Sequence, residues 1–165
     1  MSTHDDAGWA TADLCDAHPQ VQVAAPILGS FGGAAAFAGP IETVACFEDN
    51  SIVRETIETP GNGRVLVVDG GGSLRCALVG DRVAADALEN GWVGIVVNGC
   101  VRDTDALADL DIGVLALDAH PRRSDKRGEG RRGSTVRFAG VEFRPGTWLY
   151  ADGDGVIVAD VAVHG

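Results

Sequence analysis

Gly80-Asp-Arg-Val-Ala-Ala-Asp-Ala-Leu-Glu-Asn-Gly-Trp-Val-Gly-Ile-Val-Val-Asn-Gly-Cys-Val-Arg-Asp-Thr-Asp105 is the stretch on which the reading of the fold turns. Asp81 stands at a helix start, where a carboxylate is favoured by the free N–H groups of the first turn. Val83, Ala84, Ala87 and Leu88 recur at helical spacing, and Asn90-Gly91 marks the C-terminal cap. Residues 92–97 are apolar without alternation, as in a strand covered on both faces. Arg102 and Asp103 follow at the carboxyl end of that strand, the edge at which parallel α/β sheets bind ligands. A guanidinium beside a carboxylate suits a small anion held next to a divalent cation. Taken alone, such a pair at a turn is ordinarily a surface ion pair.

Two further apolar runs, 64–69 and 112–117, flank this one, with helical segments between them. That order predicts a parallel sheet with helical crossovers. A strand is expected at 41–47 and helices at 11–17, from Asn50 or Ser51 to Ile57, and at 104–110. Leu14 and Cys15 are expected to face inward. Residues 29–33 read as a flexible glycine-rich turn, and Gly39-Pro40 as a break. After residue 134 the pattern changes to short strands at 135–138, 141–144, 147–151 and 156–159, separated by Ala-Gly, Pro-Gly and Asp-Gly-Asp-Gly turns. The fold class is therefore α/β, a layered single domain with a parallel core sheet and an antiparallel C-terminal meander, spanning residues 1–165.

Composition narrows the function classes. The chain has 165 residues, 45% hydrophobic and 22% charged, which is globular rather than disordered. No run approaches the roughly 20 apolar residues of a membrane span. The opening Met1-Ser-Thr-His-Asp-Asp6 lacks the basic and apolar regions of a signal peptide. A cytoplasmic protein without membrane contact is expected. The net charge of −11 argues against direct nucleic-acid binding. Six of the 13 basic residues, Arg122, Arg123, Lys126, Arg127, Arg131 and Arg132, nevertheless fall in one stretch, read as a solvated loop or as a contact for an anion or an acidic neighbouring subunit. Cys15, Cys46, Cys76 and Cys100 form no Cys-x-x-Cys pair, so buried free thiols are favoured over a disulfide framework or a thiolate nucleophile at Cys100. The histidines lack zinc-ligand spacing. Gly70-Gly-Gly-Ser73 is a tight turn that can wall a pocket, without a P-loop signature. Asp152 and Asp154 read as a turn, since the rest of a calcium loop is missing.

Four runs together carry a resemblance: Cys46-Phe-Glu-Asp-Asn50, Arg64-Val-Leu-Val-Val-Asp-Gly-Gly-Gly-Ser73, Gly91-Trp-Val-Gly-Ile-Val-Val-Asn-Gly99 and Val101-Arg-Asp103. Over about residues 11–160 the chain resembles the regulator of ribonuclease activity A family, which includes the class II 4-hydroxy-4-methyl-2-oxoglutarate aldolases. The resemblance implies a single-domain β/β/α layered sandwich assembled as a homotrimer, with pockets between subunits. It makes Arg102 the residue that holds a pyruvyl carboxylate and Asp103 the ligand of a divalent cation, Mg²⁺ or Mn²⁺. Gly80, Asp81, Arg82 and Val83 become the loop enclosing a small 2-oxo acid substrate, with Asp81 orienting water at the metal. The further acid that the aldolase motif carries three residues after the metal aspartate is Ala106 here, with Asp105 one residue earlier.

The residue inventory favours the metal route independently. A Schiff-base aldolase needs a desolvated lysine, and the only lysine is Lys126, inside the arginine-rich stretch. A cation held by few carboxylates and by the substrate's own oxygens fits better. Three functions are expected to compete: a metal-dependent aldolase acting on 4-hydroxy-4-methyl-2-oxoglutarate, with oxaloacetate decarboxylation through the same pyruvate enolate; a regulator that binds and inhibits ribonuclease E; and a scaffold with neither activity.

Overall fold

The computed structural model describes residues 8–165; the readings of Met1–Asp6 and of His4 lie outside them. Strand β3 (Phe37–Ala45) organises the rest, because it belongs to two sheets at once. Its first half pairs antiparallel with β11 (Trp148–Asp152), Phe37 opposite Ala151 and Pro40 opposite Trp148. Its second half pairs parallel with β4 (Val65–Asp69), Ile41 opposite Val65 through Ala45 opposite Asp69. The expected break at Gly39-Pro40 is instead the point at which this strand changes partners. Proline has no N–H to give either ladder, and a Cβ on Gly39 would lie 2.1 Å from the carbonyl oxygen of Gly63.

From β4 the parallel sheet continues through β6 (Gly94–Val101) to β7 (Gly113–Ala119), with β5 (Ala77–Val79) also beside β6. Beyond β3 it continues antiparallel through β11 and β12 (Gly155–Ala159) to β1 (Gln22–Val23), giving ten strands in all. The expected crossover pattern is present: α3 (Asp81–Glu89) precedes β6 and α4 (Thr104–Ala108) precedes β7. Two further helices complete the set, α1 (Thr11–Ala17) and α2 (Ser51–Ile57), and β9 (Val136–Phe138) with β10 (Val141–Phe143) forms a hairpin.

The uninterrupted apolar runs are explained by the layers. Leu66, Val68, Ile95, Val97, Val114 and Ala116 point to the helices, against Val53, Ile57, Val83, Ala87 and Leu107. Their neighbours Val65, Val67, Val96 and Leu115 point the other way, against Val136, Phe138, Phe143, Leu149 and Val158. Each strand thus needs apolar side chains on both faces, and a β/β/α sandwich results. On the outer side of the antiparallel part, Leu14 of α1 packs on Tyr150 and Ile157, with Cys15 partly buried beside it. Leu88 departs from the expected helical stripe, being 36% exposed at the end of α3.

Two segments are more ordered than their composition suggests. The glycine turn includes β2 (Gly29–Ser30), paired antiparallel with β7. Gly32 and Gly33 lie so close to the chain that added Cβ atoms would sit 2.2 Å from the Ile112 carbonyl oxygen and 2.4 Å from that of Leu110. The basic stretch is likewise not a free loop. Arg131–Arg132 form β8, antiparallel to the end of β3, and Glu42 holds both Arg132 and Arg64. The Asp152-Gly-Asp154 segment is a turn, as expected, in which Asp152 accepts the N–H of Asp154 and anchors Thr11. All four cysteines are free.

Candidate active site

Strands β5 and β6 run parallel and end level, Val79 opposite Val101. The residues that follow each strand are therefore neighbours, although they are about 20 positions apart in sequence. Gly80 precedes the first turn of α3, and Arg102-Asp103 precedes α4. The Arg102 N–H donates to the Val79 carbonyl at 2.9 Å, which carries the ladder one residue past the strand ends.

Asp103 takes a left-handed backbone conformation (φ 59°, ψ 46°), which aspartate tolerates better than most residues. Its Oδ2 accepts the backbone N–H of Asp81 at 3.1 Å. The carboxylate at the N-terminus of α3 is thus supplied by Asp103, from another element. Asp81 is itself the first helical residue and its side chain makes no cap. Asp81 thus stands at the helix start, as expected, while the hydrogen bond to the first turn comes from Asp103. Gly80 is required by this approach, since a Cβ there would lie 2.5 Å from Asp103 Oδ2 and 3.4 Å from Arg102 Cγ. Arg102 and Asp103 do not pair with each other. The Arg102 guanidinium has only a long contact to the Pro121 carbonyl, 3.5 Å from Nη1.

Gly80, Asp81, Arg82, Val83, Arg102 and Asp103 all line one cleft of about 640 Å³. Its far wall is Asn50, Arg54, Arg123, Ser124 and Lys126, of which Arg123 and Lys126 belong to the basic stretch read as an anion contact, and Asn50, Arg54 and Ser124 were not anticipated. Five cations thus face two carboxylates, in a protein whose net charge is −11. Arg54 has a long contact with Asp86 at 3.9 Å, and among the described residues Arg82, Arg102, Arg123 and Lys126 have no ion pair. Such a wall suits a ligand carrying more than one negative charge. Asn50 adds a buried amide to this wall. Its Nδ2 donates to the Leu78 carbonyl at 3.0 Å, while the buried Oδ1 has no partner. Sequence reasoning took Asn50 only as a helix cap. That role is filled by Asp49, which accepts the Ser51 N–H at 2.9 Å.

Among the described residues no three His, Cys, Asp or Glu side chains converge as a closed metal cage. The donor set fits a hard divalent cation held more openly. Asp103 offers Oδ1 beside an Oδ2 already oriented by a peptide N–H, and a cation such as Mg²⁺ takes one or two carboxylates and fills its remaining positions with water and substrate oxygens. The thiols are poor nucleophiles. Burial, with the nearby Asp49 and Asp69, pushes Cys46 up to about 12, and burial raises Cys76 and Cys100 as well.

A parallel sheet that presents an arginine, a carboxylate and a helix N-terminus at its carboxyl edge places this chain among the α/β proteins, with an edge whose chemistry suits a small anion. The chain belongs to the RraA-like family, Aldolase/RraA, whose model matches residues 11–158. It is 57% identical over 152 residues to a protein of Pseudomonas syringae pv. tomato provisionally named 4-hydroxy-4-methyl-2-oxoglutarate aldolase, covering 92% of this chain and 94% of that one. A Xanthomonas campestris pv. campestris protein of the same provisional name is 58% identical over 151 residues, covering 92% and 91%. Among solved structures, the RNA-processing inhibitor RraA of Thermus thermophilis superposes with a TM-score of 0.92 at 46% identity, covering 95% of this chain and 96% of that one. A Geobacillus kaustophilus protein named S-adenosylmethionine: 2-dimethylmenaquinone methyltransferase matches equally well, with a TM-score of 0.92, 47% identity and coverage of 94% and 97%. One fold thus carries three functional names, and the choice among them rests on the chemistry of the cleft.

Proposed function

We propose that this cleft is the active site of a divalent-metal-dependent aldolase that cleaves 4-hydroxy-4-methyl-2-oxoglutarate to pyruvate, with oxaloacetate decarboxylation as a secondary activity. The observation that carries the reading is the meeting of Arg102, Asp103 and the N-terminus of α3 in one cation-rich cleft. The names of relatives at 57–58% identity agree with it.

Each residue has a chemical task. Arg102 grips the C1 carboxylate of the substrate through the two parallel hydrogen bonds that a planar guanidinium can make. The N-terminal turn of α3, Asp81-Arg82-Val83 after Gly80, directs backbone N–H groups towards the anion. Asp103 holds the cation, Mg²⁺ or Mn²⁺, which when bound polarises the 2-keto oxygen and stabilises the enolate left by cleavage. Asp81 orients the water that takes the proton from the 4-hydroxyl. As that proton leaves, C4 becomes the keto carbon of one pyruvate. The electron pair of the C3–C4 bond passes to the other fragment as its enolate, which gains a proton at C3. In oxaloacetate the same bond breaks and C4 leaves as carbon dioxide. Arg54, Arg123 and Lys126 meet the distal carboxylate.

Lys126 lies on the cleft wall rather than away from it, yet it is exposed to solvent. A Schiff-base role needs a desolvated amine, so the metal route remains the better account. The active assembly we propose is a cytoplasmic homotrimer. Phe47 and Leu74, 54% and 58% exposed with Arg75 stacked over the Phe47 ring, offer apolar surface for subunit contact. The deciding experiment measures pyruvate release from 4-hydroxy-4-methyl-2-oxoglutarate and oxaloacetate, with and without Mg²⁺ or Mn²⁺. No metal-dependent turnover of either would sink the reading.

The likeness to the Thermus RNA-processing inhibitor supports a second reading, an acidic protein that binds a basic segment of ribonuclease E. Its affinity would fall steeply with salt, and salt-insensitive binding would contradict a charge-driven contact.

A further inference from the structure

Asp49 lies outside the cleft, but everything it binds leads to the cleft's far wall. It is fully buried, and its carboxylate collects donors from two segments distant in sequence. Oδ1 accepts the N–H of Ser51 at 2.9 Å and its hydroxyl at 2.6 Å. Oδ2 accepts the N–H of Arg127 at 2.7 Å and that of Glu129 at 3.3 Å. The Ser51 hydroxyl oxygen in turn accepts the Gly128 N–H at 3.0 Å. A short parallel bridge joins Asp49 to Asp125, and Glu48 immediately before it has a left-handed backbone (φ 57°), a conformation that costs a non-glycine residue energy. Three consecutive peptide N–H groups, 127 to 129, are therefore fastened to the start of α2. Lys126 and Arg123 emerge just upstream of that fastening.

A carboxylate is taken out of water only where its hydrogen bonds are made good. Burial alone would raise its proton affinity. The donors from Ser51, Arg127 and Glu129 outweigh burial and bring it down to about 2. The carboxylate is thus charged at every working pH, and the clamp has one state.

We infer that Asp49 is a positioning residue that, from the downstream side of a segment bridged at Arg123 to Ala77, holds Lys126 and Arg123 where they can bind the distal carboxylate of the substrate. The inference rests on the aldolase reading of the cleft. The chain needs such a device because lysine and arginine side chains lose considerable rotamer freedom on binding, and a backbone loose at 125–129 would add to that loss. The site is thereby divided. Arg102, Asp103 and α3 recognise the pyruvyl half through the strand ends. Asp49 sets the half that distinguishes a dicarboxylic acid from pyruvate.

The test is binding of two ligands that have no bond for the aldolase to cleave, in the presence of Mg²⁺, followed by calorimetry on the full-length protein. 2-Oxoglutarate carries both carboxylates and pyruvate only one. Asp49→Asn places an NH₂ or a weaker acceptor against the peptide donors, and is expected to weaken 2-oxoglutarate roughly tenfold, as for loss of hydrogen bonds to a charged group. Pyruvate affinity, and the rate of deuterium exchange into the pyruvate methyl group, should stay within about twofold, since neither uses the far wall. Amide exchange at Arg127, Gly128 and Glu129 should accelerate while that of β4 and β6 does not. If Asp49→Asn fails to fold, Ser51→Ala is the substitute, and a smaller selective loss of 2-oxoglutarate affinity is expected. Equal weakening of both ligands, or of neither, in whichever variant folds would overturn the assignment and leave the aldolase reading standing. A wild-type protein that binds neither ligand and exchanges no pyruvate protons would remove the aldolase reading itself, and the role of Asp49 with it.

Discussion

Asp103 accepts the backbone N–H of Asp81 through Oδ2 at 3.1 Å, and Gly80 leaves room for that oxygen and nothing larger. The two halves of the cleft's near wall are thus held by one hydrogen bond and one missing methyl group. Gly80→Ala should displace the Asp103 carboxylate by enough to spoil its aim. We expect a loss of turnover on the order of 10²-fold, as for other misplaced reacting groups. The unfolding temperature should move little, since this edge is open to solvent. Retention of full activity by Gly80→Ala would show that the carboxylate position is not demanding.

Asp103→Asn and Arg102→Lys separate catalysis from architecture. Asparagine tolerates the left-handed backbone and keeps an acceptor for Asp81, so the fold should survive. A neutral amide is nevertheless a poor ligand for a hard cation, and metal-dependent turnover should be abolished. Arg102→Lys keeps the charge but not the planar fork, and should cost roughly 10²-fold or more in turnover. Near-normal decarboxylation of oxaloacetate by both variants would identify the pair as structural.

Lys126 should contribute charge and not a covalent bond. Incubation with pyruvate and borohydride should leave its mass unchanged, because an exposed lysine is not tuned to form a Schiff base. Lys126→Ala should raise the KM for oxaloacetate several-fold while kcat changes less, the pattern of lost ground-state binding. A pyruvyl adduct on Lys126, detected by mass spectrometry, would replace the metal mechanism with a covalent one.

Acid should unfasten the Asp49 clamp. The carboxyl is depressed from 3.8 to about 2 in the folded chain, so its stabilising effect is complete above about pH 4 and fades as the pH falls through that interval. Linkage puts the effect on the order of 2 kcal/mol. Chemical unfolding of wild type at pH 6 and pH 2.5 should show a larger loss of stability than Asp49→Asn shows over the same range. Identical losses would mean that Asp49 does not titrate as its hydrogen bonds require.

The sheet and the near wall were legible in the sequence because each depends on local pattern. Uninterrupted apolar runs at 64–69, 93–98 and 112–117 report strands covered twice, and Arg102-Asp103 follows one of them directly. The far wall was only half legible. The basic stretch offered an anion contact, but what it joins is set by long-range bonds: Asp49, 78 positions away from Arg127, accepts that residue's peptide N–H, and Arg123 is bridged to Ala77. A hydrogen bond of that span leaves no periodicity in the chain. Glu42 hides in the same way, since its partners Arg64 and Arg132 are known only once the sheet is formed. Gly39-Pro40 misled because the residues that end an ordinary strand also let a long one leave its first sheet and enter a second.

Phe37 lies across the strands at the end opposite the cleft. Cβ atoms on Gly94 and Gly113, which are paired across β6 and β7, would fall 2.3 Å and 2.0 Å from its ring. Each of these strands is therefore immobilised at its beginning by a plate of aromatic carbon and released at its end into chemistry. Substitution at the aromatic edge is limited by volume, since any side chain on Gly94 or Gly113 meets the Phe37 ring, whereas after Val79 and Val101 it is limited by chemistry.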